Sequence, residues 1–309
     1  MTSTPLAARG TALPPSTLGF PSPPQRWPRV ATPFARDVLA GLARPHKAVP
    51  SRWLYDERGA ALLEQIAQLD EGCPARTEIA ILERCAGQIA AAVGPEAALV
   101  EFGAGANRTT PILLAALDAP SAFISAEPTG TLTFTLPCRR RVGYLPGSML
   151  SKVEPDAAAE LLERVGRLLG DDSMLVVGVE SSGQRAGDDR TGLTAALHKN
   201  LLVRINRELE GDFDARAFRH EVRFNAEQQR VEMHLVSTTW ESFEVLGRRF
   251  GFPAGDSIHT QNSYRYSLAR FHALARRAGW APLQFWTDAH ARFGVHVLER
   301  MRASTSPQS

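Results

Sequence analysis

Leu99-Val100-Glu101-Phe102-Gly103-Ala104-Gly105-Ala106-Asn107 is the stretch of this 309-residue chain that decides the fold class. A short apolar strand ends at an acidic residue and opens into a glycine loop, and an apolar helix is predicted from Thr109. Such a loop brings bare backbone N–H groups and a helix N-terminus to a ligand, as α/β proteins do at the carboxyl ends of their strands. The third glycine of the dinucleotide fingerprint is missing, and the E-x-G-x-G spacing is commoner in S-adenosylmethionine (SAM) sites. An ordinary strand-to-helix turn has a similar pattern, so the rest of the chain must decide.

The composition is that of an ordinary globular protein and leaves small-molecule substrates as the default expectation. Hydrophobic residues make up 44% and charged residues 22% of the chain, and 35 basic against 33 acidic residues give a net charge of +2. This balance gives no footprint for nucleic acid or an anionic membrane, and no apolar run approaches the roughly 20 residues of a membrane span. Three dispersed cysteines fit neither a disulfide framework nor a zinc site. We therefore expect a monomeric, cytoplasmic protein without a nucleic-acid or membrane partner.

The predicted elements begin with a βαβ half-unit. A strand over 97–102, the glycine loop and a helix over 109–117 are followed by a strand over 123–126 that ends at Glu127. An acid in that place is suited to accept the ribose hydroxyls of a nucleoside. Apolar periodicity predicts further helices over 34–42, 59–68, 76–93, 154–169, 193–209 and 267–278, and further strands over 174–179, 222–225, 230–237, 285–286 and 294–298.

Three polar stretches are predicted to lie on the surface. Glu232 and His234 alternate with apolar residues, which indicates a solvated sheet face rather than a metal site. Residues 255–263 are predicted to form a loop, and Arg139-Arg140-Arg141 a solvated loop or strand end. The helix and strands after residue 264 are predicted to return to the sheet of the glycine loop.

Several separated segments resemble the histidine-specific SAM-dependent N-methyltransferases of ergothioneine biosynthesis. The resemblance runs from about Ser51 to the end of the chain, in the order of the family's motifs. The matching segments are Trp53-Leu54-Tyr55-Asp56-Glu57-Arg58-Gly59, Pro74-Ala75-Arg76-Thr77-Glu78, Glu101 to Gly105, Pro146-Gly147-Ser148, Thr194-Ala195-Ala196, Asn206-Arg207-Glu208-Leu209, Asp212-Phe213-Asp214, Val231-Glu232-Met233-His234-Leu235 and Thr260-Gln261-Asn262-Ser263-Tyr264.

The resemblance implies a Rossmann-like SAM methyltransferase sheet with a second α+β substrate domain. Eight prolines within 1–33 independently predict a disordered leader. The expected division is a leader over 1–33, a discontinuous substrate domain over 34–78 and 181–264, a methyltransferase domain over 79–180 and 265–302, and a tail over 303–309. The eighteen residues between Glu127 and Pro146 are fewer than the family's extra helix and strand would need.

The resemblance also implies two groups of site residues. The cofactor SAM is expected to be held by Glu101, Gly103, Gly105 and Glu127. The substrate is expected to contact a second group, consisting of Tyr55, Lys152, Gln261 and Ser263. Tyr55 suits packing between domains as well as ligand contact, and no nucleophilic residue is needed, because methyl transfer depends on alignment and removal of a proton.

The substrate residues depart from the family pattern at five positions. Gly72 and Cys73 stand where the family has paired tyrosines, and Gly187 stands in place of a tyrosine that binds the substrate carboxylate. Lys152 replaces an asparagine and Gln261 a glutamate. These changes predict little methylation of histidine, because each lost partner at a site built for one ligand typically costs a few kcal/mol.

Two functions follow from these observations. The first is a SAM-dependent N-methyltransferase acting on the amine of an amino acid or a related small molecule. The alternative is a methyltransferase-fold protein without activity, kept as a binding or regulatory subunit or as a decaying copy. Binding of the cofactor discriminates between an intact site and a lost one.

Overall fold

The strand that precedes the glycine loop is buried at every position. In the computed structural model of the protein, which describes residues 32–69, 74–103, 108–128, 130, 138–147, 149–181 and 191–302, β1 (Ala97–Phe102) has six buried residues. It pairs in parallel with β2 (Ala122–Ala126) on one side and with β3 (Arg140–Leu145) on the other. An interior parallel strand covered on both faces requires a continuous apolar run, and this explains the sequence of β1.

The sheet that contains β1 has six strands. β3 pairs in parallel with β4 (Met174–Glu180), and β4 pairs antiparallel with β11 (Phe293–Arg300). β10 (Trp280–Thr287) completes the order β10-β11-β4-β3-β1-β2. The last two strands of the chain thus join the sheet of the glycine loop.

Helices cover both faces of this sheet. Apolar side chains of α3 and α4 pack on one face, and those of α5 and α7 pack on the other. The ranges of the helices are α1 Pro33–Leu42, α2 Glu57–Ala67, α3 Pro74–Val93, α4 Thr110–Ala116, α5 Pro155–Leu169, α6 Leu193–Leu209 and α7 Leu268–Arg277.

A second, antiparallel sheet is packed on other helices. It consists of β5 (Phe218–Asn225), β6 (Arg230–Ser237) and β9 (Ser257–Tyr264) in the order β5-β6-β9, beside a hairpin of β7 (Glu241–Val245) and β8 (Arg248–Phe252). Side chains of α1 and α6 share a core with these strands. This α+β layer agrees with the expected fold class, while the boundaries 34–78 and 181–264 of a separate domain stay a prediction.

Two of the surface predictions are wrong. The segment predicted as a loop over 255–263 is largely strand β9, because its backbone pairs with β6 although its side chains are mostly polar. His234 was expected on a solvated face, yet it is only 8% exposed. β6 is the central strand of its sheet, and its C-terminal half is buried on both faces, with the His234 ring stacked on His259 at 4.9 Å.

The arginines at 139–141 lie at the start of a strand. β3 begins at Arg140, whose Nη1 donates to the carbonyl oxygens of Ala92 and Val93 at the end of α3. These carbonyls lack partners within the helix, so the guanidinium caps the helix and suits its dipole. Arg140 therefore connects the start of β3 to the end of α3, which its charge alone did not indicate.

The short connection between β2 and β3 leaves β2 at the edge of the described sheet. The chain passes from β2 to β3, which lies on the opposite side of β1, and β2 is the edge of the described sheet. Residues 131–137 lie outside the described residues, as do the leader up to residue 31 and the tail from residue 303. Among the described helices, none is long and apolar enough to cross a membrane.

Candidate active site

The strand order creates a crevice at the carboxyl ends of β1 and β3. From β1 the chain leads through α4 to β2 on one side, and it then crosses to β3 on the other side of β1. In open α/β sheets this reversal of direction leaves a cleft outside the strand ends, and ligands bind there. Glu101 on β1 lies opposite Tyr144 on β3 at this point of the sheet.

The end of β1 is bare and acidic. Glu101 is buried, and its Oε2 accepts a hydrogen bond from Thr110 Oγ1 at 2.8 Å, which ties the strand to the first residue of α4. Gly103 has φ +141°, a conformation that favours glycine, and its N–H donates to Ala126 O at 3.1 Å. A Cβ at Gly103 would lie 3.2 Å from Met149 Cε, so glycine permits close approach here. The glycine backbone and the carboxylate at this strand end suit the predicted binding of SAM. Gly105, which is also expected to hold the cofactor, lies outside the described residues.

Glu127 lies at the end of the second strand of the βαβ unit, as predicted. It directly follows β2, the strand beside β1, and it is exposed to solvent. A carboxylate at the end of the second strand of a βαβ unit is suited to accept ribose hydroxyls. Its role in cofactor binding stays a prediction.

Lys152 and Tyr55 are brought together by two short 3-10 turns. Lys152 ends the turn Leu150–Lys152, and Tyr55 follows the turn Ser51–Leu54. Lys152 Nζ lies 5.4 Å from the centroid of the Tyr55 ring, within range of a cation–π contact. The lysine is exposed and the tyrosine is half-buried, so the ammonium is accessible to a ligand.

Ser263 is connected to the turn of Lys152 by a buried polar chain. Arg265 Nη1 donates to Ser263 Oγ at 2.6 Å and forms an ion pair with Glu180 at the end of β4. Glu180 Oε1 accepts from Ser151 Oγ at 3.0 Å, next to Lys152. Both charged side chains are almost fully buried, so each compensates the desolvation of the other.

These contacts place three of the expected substrate residues in one region with Gly103, namely Tyr55, Lys152 and Ser263. The side chain of Met149 lies against Gly103, and Met149 is two residues before Ser151 in the sequence. Gln261 is a half-buried residue of β9, two positions from Ser263 on the same strand. β9 packs against both 3-10 turns. Gly72, Cys73 and Gly187, where the family pattern is lost, lie outside the described residues.

Residue Glu78 was missed as a site residue. It is 3% exposed, and its carboxyl accepts from Tyr144 Oη at 2.9 Å and from the N–H of Gly147 at 3.0 Å. Burial raises the pKa of Glu78 to about 7, against the effect of these hydrogen bonds. The signal was present in the sequence, because Glu78 shares the helical face of Ile81, Leu82 and Cys85.

Comparison with known proteins decides the family. A sequence model described as "Histidine-specific methyltransferase, SAM-dependent" matches residues 34–128 and 128–300. The chain belongs to this family. The Histidine N-alpha-methyltransferases of Mycolicibacterium smegmatis and Mycobacterium tuberculosis are 33% and 30% identical to this family member, across 87% and 86% of its chain and 96% and 94% of theirs. Ergothioneine biosynthesis protein 1 of Neurospora crassa is 25% identical across 84% of the chain, which covers 34% of that protein.

Membership in the family confirms the predicted enzyme class and cofactor. This histidine-specific methyltransferase family member has a Rossmann-like sheet, and its family is SAM-dependent. The described residues contain no group of three or more His, Cys, Asp or Glu side chains that could hold a metal ion. The roles of the individual site residues stay predictions.

Proposed function

We propose that this protein is an active N-methyltransferase that transfers a methyl group from SAM to the amine of an amino acid or a related small molecule. The observation that carries the proposal is the contact chain from Gly103 through the turn of Met149 and Ser151 to Ser263. It joins the crevice of the sheet to β9 of the second sheet. A ligand at the crevice would therefore be adjacent to the residues expected to bind substrate. No observation favours the non-catalytic alternative.

The cofactor side of the proposal uses the ends of β1 and β2. Glu101, held by Thr110, and the bare backbone at Gly103 would face the amino-acid part of SAM, and Glu127 would accept its ribose hydroxyls. When bound, SAM supplies a methyl group on a positively charged sulfur. The buried hydrogen bond at Glu101 would keep its carboxylate in place without the cost of ordering it on binding.

The substrate side uses the accessible ammonium of Lys152. A free α-carboxylate would pair with it, and the Tyr55 ring beneath the ammonium limits the orientations that the lysine can adopt. Ser263 would donate or accept one hydrogen bond nearby, while Gln261 offers a neutral amide with both functions. Because Gln261 carries no charge where the family pattern has a glutamate, we expect histidine to be methylated poorly.

Catalysis would consist of alignment. Holding the carboxylate through Lys152 fixes the neighbouring α-amine, which must be deprotonated so that its lone pair faces the methyl carbon. The new nitrogen–carbon bond forms as the carbon–sulfur bond breaks, and the amine proton leaves to water. No covalent adduct with a side chain is required.

The test is methyl transfer to a panel of free amino acids. The protein is incubated with SAM and each amino acid, histidine included, and methylated products are identified by mass spectrometry. Lys152→Met keeps the length of the side chain and removes the charge, and we expect it to raise the KM of the best substrate by about tenfold or more, the value of one hydrogen bond to a charged group. Lys199→Met on α6 is the matched control and should leave the KM unchanged.

Two results would contradict this proposal. Efficient trimethylation of histidine would show that the substrate prediction is wrong. Absence of methylation throughout the panel would contradict the proposed activity toward amino acids.

A further inference from the structure

We propose that Glu78 is a positioning residue of the methyl-transfer site, where it fastens the Pro146–Gly147 turn and the start of α4 to α3 at the edge of the crevice. This inference rests on the proposed function, because the crevice is the expected cofactor site. Glu78 does not need to touch substrate or cofactor for this role. It acts through the backbone of Gly147 and through the side chain of Tyr144.

The surroundings of the Glu78 carboxyl leave room for nothing larger. A Cβ on Gly178 of β4 would lie 2.4 Å from Glu78 Oε1, and a Cβ on Gly147 would lie 3.1 Å from Oε2. The carboxyl thus lies close to the backbone of Gly178, whereas at Gly147 the nearest obstacle to a Cβ is the Phe293 ring at 2.0 Å. An acid from α3 is thus inserted between the ends of β3 and β4, on the strands that border the crevice.

From Glu78 a line of hydrogen bonds leads to α4. Tyr144 Oη lies 2.9 Å from Glu78 Oε1 and 2.5 Å from Thr109 Oγ1, and Thr109 immediately precedes α4. The next residue, Thr110, holds Glu101 on β1. A displacement of Glu78 would therefore be transmitted to the helix N-terminus and to the acid beside the glycine loop.

The hydrogen bonds around Glu78 can be formed in either protonation state. Tyr144 has one hydroxyl proton and cannot donate to both Glu78 and Thr109. If Glu78 is protonated, it donates to Tyr144 Oη and Tyr144 donates to Thr109 Oγ1, while the Glu78 carboxyl still accepts from Gly147. If Glu78 is ionised, Tyr144 donates to Glu78 and Thr109 donates to Tyr144, so a change of protonation reverses the hydrogen bonds that lead to α4.

The charges around Glu78 favour the neutral form. The titratable groups that face Glu78 are Tyr144 on β3 and Glu180 on β4, with its partner Arg265, and Glu101 on β1 lies near Tyr144. No cation among the described residues pairs with Glu78, whereas Glu180 has Arg265. Burial and the charge of Glu180 raise the pKa of Glu78, so its ionisation falls in the range near pH 7.

The sign of the pH effect follows. The pKa of about 7 in the folded protein lies above the ordinary 4.5, so the folded state holds a proton that the unfolded chain releases first. The stability contributed by this proton is present below pH 4.5 and is lost as the pH rises through 7. If the neutral acid positions the crevice, binding of S-adenosylhomocysteine should weaken over the upper part of the same range.

The experiment measures S-adenosylhomocysteine affinity by calorimetry between pH 6 and 8.5, with unfolding temperature in the absence of ligand as a second readout. Glu78→Gln keeps the shape and neutrality of the acid, and Glu78→Ala removes it. Glu83→Gln, an exposed residue on the same helix, is the matched control. The wild type should lose up to about tenfold in affinity per pH unit above 7, as for one linked proton. Glu78→Gln should bind like the wild type at pH 6 without this loss.

Four results are decisive. Glu78→Ala with wild-type affinity and pH profile would overturn the positioning role, and so would an unchanged pH profile in Glu78→Gln, which decides the case if the alanine variant does not fold. If Glu83→Gln flattened the profile equally, the effect would not belong to Glu78. A wild type that binds no S-adenosylhomocysteine would instead contradict the proposed function itself.

Discussion

Replacement of Gly103 by alanine should weaken both the fold and the binding of the cofactor. Gly103 has φ +141°, and an alanine held there would be strained by about 1–3 kcal/mol. The added Cβ would lie 3.2 Å from Met149 Cε, the end of a flexible side chain that can move aside, so backbone strain dominates the cost. At roughly 2–4 °C per kcal/mol, the unfolding temperature should fall by about 2–12 °C.

The loss of affinity has a separate cause. Relief of the strain would rotate the backbone at Gly103 and displace its N–H from Ala126 O, and the loop that begins there would move. We expect at least a tenfold loss in S-adenosylhomocysteine affinity, measured by isothermal calorimetry at a temperature where the variant is folded. Gly94→Ala is the control, because Gly94 has φ +82° with open space around its Cβ and lies at the other end of β1. The reasoning is refuted if Gly103→Ala binds as the wild type does, or if Gly94→Ala reduces affinity equally.

Two further predictions concern stability. Arg265→Met should lower the free energy of unfolding by about 3–5 kcal/mol in denaturant titrations, because it leaves Glu180 buried without its ion-pair partner; a loss below 1 kcal/mol would show that the pair is solvated. The free energy of unfolding should also fall as the pH is lowered from 6.5 toward 3. Burial lowers the pKa of both His198 and His296 to about 3, whereas these histidines take up protons near pH 6.5 in the unfolded chain. The fall should be at most about 1.4 kcal/mol per pH unit for each histidine. His296→Phe should reduce this slope in denaturant titrations at pH 5 and 7, and an identical slope would contradict the assignment.

Part of the main sheet was predictable because two of its strands carry strong local signals. β1 and β4 are apolar except for Glu101 and Glu180 near their carboxyl ends, which in a chain of alternating strands and helices indicates interior parallel strands. β3, which lies between them, was not among the predicted strands. The helix predicted over 193–209 is observed as Leu193–Leu209, since its apolar residues recur at helical spacing and pack on the second sheet.

β9 was not predictable from the same signals. Its stretch from His259 to Ser263 is polar and follows a glycine, which is typical of a loop, and only pairing with β6 makes it a strand. Long-range pairing of this kind leaves no local pattern in a single sequence. β9 also carries Gln261 and Ser263, so the prediction of these site residues depended on family resemblance rather than on secondary structure.

Glu78 was overlooked for a different reason. A glutamate in a helix is ordinarily solvated, and its close partners, Gly147 and Tyr144, are about 66–69 positions away in the sequence. The helical spacing of Glu78 with Ile81 indicated burial, but not the groups that would satisfy the carboxyl. Sequence patterns identified β1 but not β3 at the crevice, and the structure was needed to identify the contacts between these elements.

The most direct test of the account is a calorimetric titration of the unmodified protein with S-adenosylhomocysteine at neutral pH. We expect saturable binding at one site per chain, because the crevice at the ends of β1 and β3 belongs to a SAM-dependent methyltransferase. Absence of any binding heat at millimolar ligand, confirmed by an unchanged unfolding temperature, would contradict the cofactor site on which the proposed function depends.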